Sequence, residues 1–259
     1  MNTIDPQKVS DHFKRSIGTY DDGAVVQKNV GSNLIGLLDN FPQIYYDRVL
    51  EIGCCTGSMT EMLCRNNMIK QLWLNDLVAE CTEVAAERIG SHVVQTHCLG
   101  GEISTTAIPD NLDLVISAST FQWIEDLPRC FDTFYKSLND RGYLVFSLFA
   151  KGTMQQVREL LGIGLSYLDA IELANILKRN FVIEHIKTTP HTLHFKNPRE
   201  VLRHIQKTGV GGAGDFCWTP TRLRKFESDY IHKFGDGQGV PLDYVSISVI
   251  AKKKQGNYP

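Results

Sequence analysis

Between Arg48 and Phe149 the chain alternates short runs of β-branched and aliphatic residues with longer segments whose apolar residues recur every three or four positions. Short apolar runs suit buried strands, and the longer recurrence suits helices laid on a sheet. Val49 to Ile52 predicts a first strand and Ser58 to Asn66 its helix; Gln71 to Leu74 predicts a second strand and Val78 to Ile89 the next helix. His92 to His97 and Leu112 to Ser117 read as further strands. Pro128 suits a helix start, Phe131 to Leu138 continues that helix, and Tyr143 to Phe149 is a strongly apolar strand. Strand and helix in alternation predict an α/β fold with a doubly wound, mainly parallel sheet.

Beyond Phe149 the pattern loosens. Tyr167 to Lys178 has helical periodicity, Val182 to Lys187 alternates like a strand, and Leu242 to Ala251 reads as a closing strand. Between those two strands, helices are expected over Pro198 to Lys207 and Pro220 to Phe234. Glycines at 209, 211, 212 and 214, and again at 235, 237 and 239, break that stretch. We read the chain as a single domain over 1–259, with a helical leader at 1–40, a core at 48–150 and a cap insertion at 190–240. Such a cap closes over substrate and excludes water.

Composition narrows the function classes. A chain of 259 residues with 42% hydrophobic content is too apolar for disorder, and a net charge of −2 argues against a general nucleic-acid surface. The segment MNTIDPQKVSDHFKRS lacks a signal-peptide core and no run is long enough to span a bilayer, so a cytoplasmic protein without a membrane partner is expected. Cysteines at 54, 55, 64, 81, 98, 130 and 217 form no C-x-x-C pair, and their odd number suits a reducing compartment; no metal is expected. His191 and His194 lie in an extended segment without a partner at ligand spacing.

Chemistry concentrates in RVLEIGCCTGSMT, residues 48–60, where a strand breaks into a turn and then a helix. Such a turn aims backbone N–H groups at the crevice beyond the sheet's carboxyl edge. Glu51, Gly53, Cys55 and Gly57 stand at alternate positions, and this E-x-G-x-C-x-G pattern resembles motif I of class I S-adenosylmethionine-dependent methyltransferases, with Cys55 replacing the usual middle glycine. Asp76, ending the second strand beside Leu77, suits the two hydroxyls of an adenosine ribose. Gly101-Glu102-Ile103 resembles the G-D-x segment at which these enzymes hold adenine. A nicotinamide enzyme would use the same strand and acid with a G-x-G-x-x-G fingerprint, so the tighter spacing favours the methyl donor. No phosphate-binding G-x-x-x-x-G-K-[ST] element is present.

The fourth strand exits through ISASTFQWIEDLP, which brings Ala118, Phe121, Gln122 and Trp123 to the donor and substrate, where aromatic faces attract a sulfonium. Together with the leader VSDHFKRSIGTYDDGAVVQ, the cap helix NPREVLRHIQKTGV and the closing GVPLDYVSISVIAKKK, these segments resemble the malonyl-acyl-carrier-protein O-methyltransferases over nearly the whole chain. The resemblance implies a Rossmann-like sheet with an antiparallel closing strand and a helical cap. It implies S-adenosyl-L-methionine as donor, bound by Tyr20, Gln27, Glu51, Gly53, Cys55, Gly57, Asp76, Leu77, Glu102, Ile103 and Ala118. The acceptor is then a malonyl thioester on acyl-carrier protein or coenzyme A, methylated on its free carboxylate at the start of biotin's pimeloyl moiety, and a monomer is expected.

A malonyl carboxylate is ionised at neutral pH, so alignment and desolvation matter more than a general base, and no obligatory catalytic residue is assigned. Phe121, Gln122, Trp123, Arg203 and Tyr244 are the expected substrate residues, with Arg203 holding the carboxylate. Lys196, Arg199, Lys207, Arg222, Arg224 and Lys225 offer a face for an acidic carrier protein. Two readings stay open beside this one: a methyltransferase acting on another small molecule, and a non-catalytic S-adenosylmethionine-binding protein.

Overall fold

The computed structural model describes residues 5–40, 45–208 and 218–255; the glycines at 209, 211, 212 and 214 and Cys217 lie outside the described residues. Two helices come first, α1 (Pro6–Gly23) and α2 (Val25–Leu38). Asp5 caps α1 by accepting from the Gln7 and Lys8 amides, and Pro6 takes a first-turn position where its missing N–H costs nothing. The alternation then runs β1 (Tyr45–Ile52), α3 (Ser58–Asn66), β2 (Met68–Asp76), α4 (Ala79–Ile89), β3 (Gln95–Gly100), β4 (Leu112–Ala118), α5 (Leu127–Ser137) and β5 (Leu138–Phe149). The remainder is α6 (Gln155–Leu161), α7 (Ala170–Leu177), β6 (Phe181–Phe195), α8 (Pro198–Lys207), α9 (Pro220–Phe234) and β7 (Val240–Lys253).

All seven strands join one sheet in the order β3-β2-β1-β4-β5-β7-β6. The first five are parallel, and β7 lies antiparallel to both β5 and β6. The chain moves outward from β1 to β3 and resumes on the other side of β1 at β4. The connections leaving β1 and β4 therefore diverge, which opens a crevice at their carboxyl ends. Alternation along β1 feeds both faces: Leu50 and Ile52 pack with Phe131, Phe134 and Phe146, whereas Val49 packs with Leu34, Leu63 and Ala85. A third cluster joins Val201, Phe226, Tyr230 and Tyr244 under α8 and α9.

Three expectations change. β6 does not stop at Lys187; it pairs with β7 as far as Phe195 opposite Val240, and Pro190 is tolerated because β6 is an edge strand. The segment between the late strands is accordingly 196–239 rather than 190–240. His92 closes a short 3₁₀ turn, and the third strand begins only at Gln95. Helix α6 was not expected at all.

Candidate active site

The loop after β1 is shaped by its backbone. Gly53 has φ 72°, and a Cβ there would stand 2.0 Å from Thr120 Oγ1, so only glycine lets the β4 exit press against it. The amides of Gly53 and Cys54 donate to the Asn75 carbonyl at 2.8 and 3.1 Å. Cys55 has φ 48°, in the left-handed region, and its amide donates to Asp76 Oδ2 at 2.9 Å. Asp76 Oδ1 accepts from the Val78 amide at 2.9 Å, so one carboxylate ties the β1 loop to the start of α4. Gly57 lines none of the cavities described below. A Cβ on it would lie 2.7 Å from Ala85 Cα, which makes it the residue that lets α3 approach α4.

Two lobes meet at this loop. The larger, with ≈ 870 Å³ of empty space including its open mouth, is walled by Gly53, Cys55, Asp76, Leu77, Glu102 and Ile103. Its size is that of a small-molecule cleft. Ala118 and Trp123 close it from the β4 exit, and Val9, Phe13 and Tyr20 cover it from α1. The second lobe adds Gln27, Glu51, Thr56 and Met59, and shares Tyr20, Gly53, Cys55 and Ala118 with the first.

Glu51 is fully buried, and neither of its oxygens nor Gln27 Oε1 has a hydrogen-bond partner among the described residues. Burial pushes the Glu51 carboxyl up to about 8; Thr60 opposes part of the rise without meeting hydrogen-bond geometry, and the Asp76 charge adds to it. Burial likewise carries Asp76 up to about 6 against the two amides it accepts from. Tyr20 is raised by burial first, then by the Cys55 thiol and Asp76. Ser119, at φ 57°, also leaves its buried hydroxyl unpartnered. Buried acceptors without donors mark a place built for a ligand that brings donors.

A polar strap holds α1 over these lobes. Asp21 accepts from Thr56 Oγ1 at 2.8 Å and from Arg88 at 3.0 Å, while Arg88 Nε donates to Glu61 at 2.9 Å. Lys14 pairs with Glu80 nearer the helix start. Phe13 meets Trp123 edge-on, with ring centroids 5.7 Å apart.

Trp123 separates the donor cleft from another cavity, with ≈ 650 Å³ of empty space, whose walls include Gln122, Phe149, Val157, Arg158, Tyr167 and Tyr244. Residues 121–123 form a single 3₁₀ turn, so successive side chains point about 120° apart. Trp123 faces the two cavities, and Gln122 is fastened to Ser119 O and the Phe149 amide. Phe121 goes inward, packs on Phe131, Phe134 and Phe146, and lines neither cavity.

Arg203 also stands apart from the cavities. Helix α8 buries Val201 and His204, and Arg203, about 200° round from Val201, is exposed to solvent and lines no described cavity. The residue that α8 turns inward is His204, whose Nε2 lies 2.9 Å from the Tyr244 hydroxyl. Burial, with the Lys207 charge beside it, pushes that imidazole down to about 4 and keeps it neutral. Tyr244 is fully buried yet reaches the cavity wall. Most of this wall comes from the stretch between β5 and α7, residues 153–167, to which the sequence pattern assigned no function.

Residues 50–146, which carry this sheet and its acidic, glycine-bearing loop, match the family model of a methyltransferase domain. The fold is shared with the N-methyltransferase NodS from Bradyrhizobium japonicum, solved with S-adenosyl-L-homocysteine: TM-score 0.55 and 16% identity, over 96% of this chain and all of that one. A malonyl-[acyl-carrier protein] O-methyltransferase of Chlorobium phaeovibrioides is 33% identical over 254 residues, covering 97% of this chain and 98% of that protein. One of Bacteroides fragilis is 34% identical over 95% of this chain, which spans 50% of that longer protein. The chain belongs to the malonyl-[acyl-carrier protein] O-methyltransferase family.

Proposed function

We propose that the protein transfers the methyl group of S-adenosyl-L-methionine to the free carboxylate of a malonyl thioester on acyl-carrier protein, giving the methyl ester that starts pimeloyl synthesis. The observation that carries this reading is the acidic cleft on one side of Trp123, whose adjoining lobe holds the unmet acceptors of Gln27 and Glu51, with a mainly apolar cavity on the other side. Gln27 and Glu51 suit the donor's ammonium, Asp76 its ribose hydroxyls, and Leu77, Glu102 and Ile103 its adenine. When bound, the donor supplies an electrophilic methyl on a sulfonium. The carboxylate oxygen forms the new O–C bond as the C–S bond breaks and its electron pair stays on sulfur; no proton moves. Trp123 and the fastened Gln122 therefore serve by positioning the acceptor and keeping water away, and no residue acts as a base. Helices α8 and α9 form the cap of a single domain, and α8 contributes Ile205 to the acceptor cavity.

The test is incubation with labelled donor and malonyl carrier protein, followed by intact mass. One added methyl, lost on mild ester hydrolysis, is expected. No transfer by folded protein that binds the donor would sink the reading, and transfer to malonyl-coenzyme A alone would move the partner.

A further inference from the structure

Among the described residues lining the acceptor cavity, Arg158 alone carries a formal charge. Helix α6 sets its position. The helix starts from Met154 in the left-handed region, at φ 51°, and ends at Gly162, φ 70°, after which the chain doubles back over the arginine. A Cβ on Gly164 would lie 3.8 to 3.9 Å from the Cβ, Cγ and Cδ of Arg158, so the return strand packs on the arginine's aliphatic stem. Arg158 Nη1 donates to the Leu165 carbonyl at 3.2 Å. Stem and head are thus both held, and most of the guanidinium's N–H groups remain uncommitted.

No carboxylate pairs with Arg158 among the described residues, although its neighbour Glu159 is taken up by Lys233 across to α9. The cavity before it is otherwise apolar or neutral, with Val157, Phe149 and Trp123 beside the hydroxyls of Tyr167 and Tyr244. A held cation at the wall of such a cavity selects a small anion whose remainder is uncharged.

We propose that Arg158, and not Arg203, binds and orients the carboxylate that receives the methyl group. The inference rests on the methyltransferase reading above and deepens it, because it makes substrate charge the basis of selection. An acyl thioester without a terminal carboxylate lacks the ion pair, and the product loses it as the ester forms. Methylation therefore ends after one turnover per acceptor and releases its own product. Arg158 removes no proton; it holds one end of an acceptor whose other oxygen attacks.

Arg158→Gln, Arg158→Lys and Arg203→Gln are compared with the unaltered enzyme, which must first methylate malonyl carrier protein; if it does not, the reading above fails rather than this one. With that activity present, Arg158→Gln should lower kcat/KM on the order of 10-fold, because the arginine is itself exposed at the cavity's rim and its ion pair is only partly shielded from water. The Lys variant should recover part of the loss, and Arg203→Gln should match the unaltered enzyme. Donor affinity by calorimetry should stay within about twofold, as the arginine lies outside the donor cleft. Malonyl-pantetheine should inhibit the unaltered enzyme much better than its methyl ester, and Arg158→Gln should abolish that preference. Unchanged kcat/KM, a retained preference, or a parallel loss of donor affinity would each overturn the assignment.

Discussion

Cys55 holds a left-handed backbone position, φ 48°, where relatives of the motif use glycine. A side chain there costs on the order of 1 kcal/mol, and what holds it in place is the hydrogen bond its backbone N–H donates to Asp76. Cys55→Gly should therefore raise the melting temperature by roughly 2 °C while leaving donor affinity unchanged, since the amide survives; a lower melting temperature would show that the thiol's packing outweighs the strain. Glu51 makes the opposite kind of sacrifice. Its carboxyl keeps a proton up to about pH 8 in the folded state but releases it near 4.5 when unfolded, so its contribution to stability falls as pH rises between those values and is constant above. Glu51→Gln should gain stability over the parent from pH 5 to pH 8 in thermal melts and lose donor affinity in calorimetry. A constant stability difference across that range would mean the carboxyl titrates normally.

At the scale of elements, legibility followed the local signals. Helices α8 and α9 begin where Asn197 and Thr219 cap them and Pro198 and Pro220 open them, so their bounds were visible in sequence. Helix α6 has no such cap; its left-handed Met154 is set by tertiary contact, with its amide donating to Asp243 O at 2.6 Å, so the pattern did not mark the helix or the place of Arg158 on it. Arg203 is a different case. Its helix was read correctly, but the inward residue is one place further on, at His204, and a single position turns a helical side chain by about 100°. His204 ties α8 to β7. It binds protons near 6.5 when unfolded and only near 4 when folded, so the unfolded chain takes up more protons between those values and stability falls as pH drops through that window. His204→Gln should flatten this acid limb, worth roughly 1 to 3 kcal/mol; an equally steep fall from pH 6.5 to 4 in the variant would place the loss elsewhere. Helix α1 depends on the Asp21–Arg88–Glu61 strap, whose partners lie far apart in sequence and could not be paired from it.

Across the whole molecule, the crevice at the β1/β4 switch was foreseeable from strand alternation, whereas the acceptor cavity draws its wall from the 3₁₀ turn after β4, from β5, residues 153–167, α8 and β7 together and is a product of packing alone. That wall places α8 next to the substrate, which bears on how a carrier protein would reach it. Of the cap's cations, Arg199 is paired with Glu227 and Lys225 with Asp229 at 2.8 Å. Lys196, Lys207 and Arg224 have no carboxylate partner among the described residues, and Lys207 also abuts α1 at Gly23. If this face receives an acidic carrier, Lys196→Glu with Arg224→Glu should raise KM for malonyl carrier protein about tenfold at low salt, with kcat unchanged, because rim charges act on encounter. The difference should shrink in high salt, as the Debye length falls to about 3 Å at 1 M. Malonyl-pantetheine, which carries the same acceptor without the carrier's surface, should be methylated equally by parent and variant. Equal damage to both substrates would place these cations in the fold or the acceptor cavity, and no damage to either would move the carrier to another face.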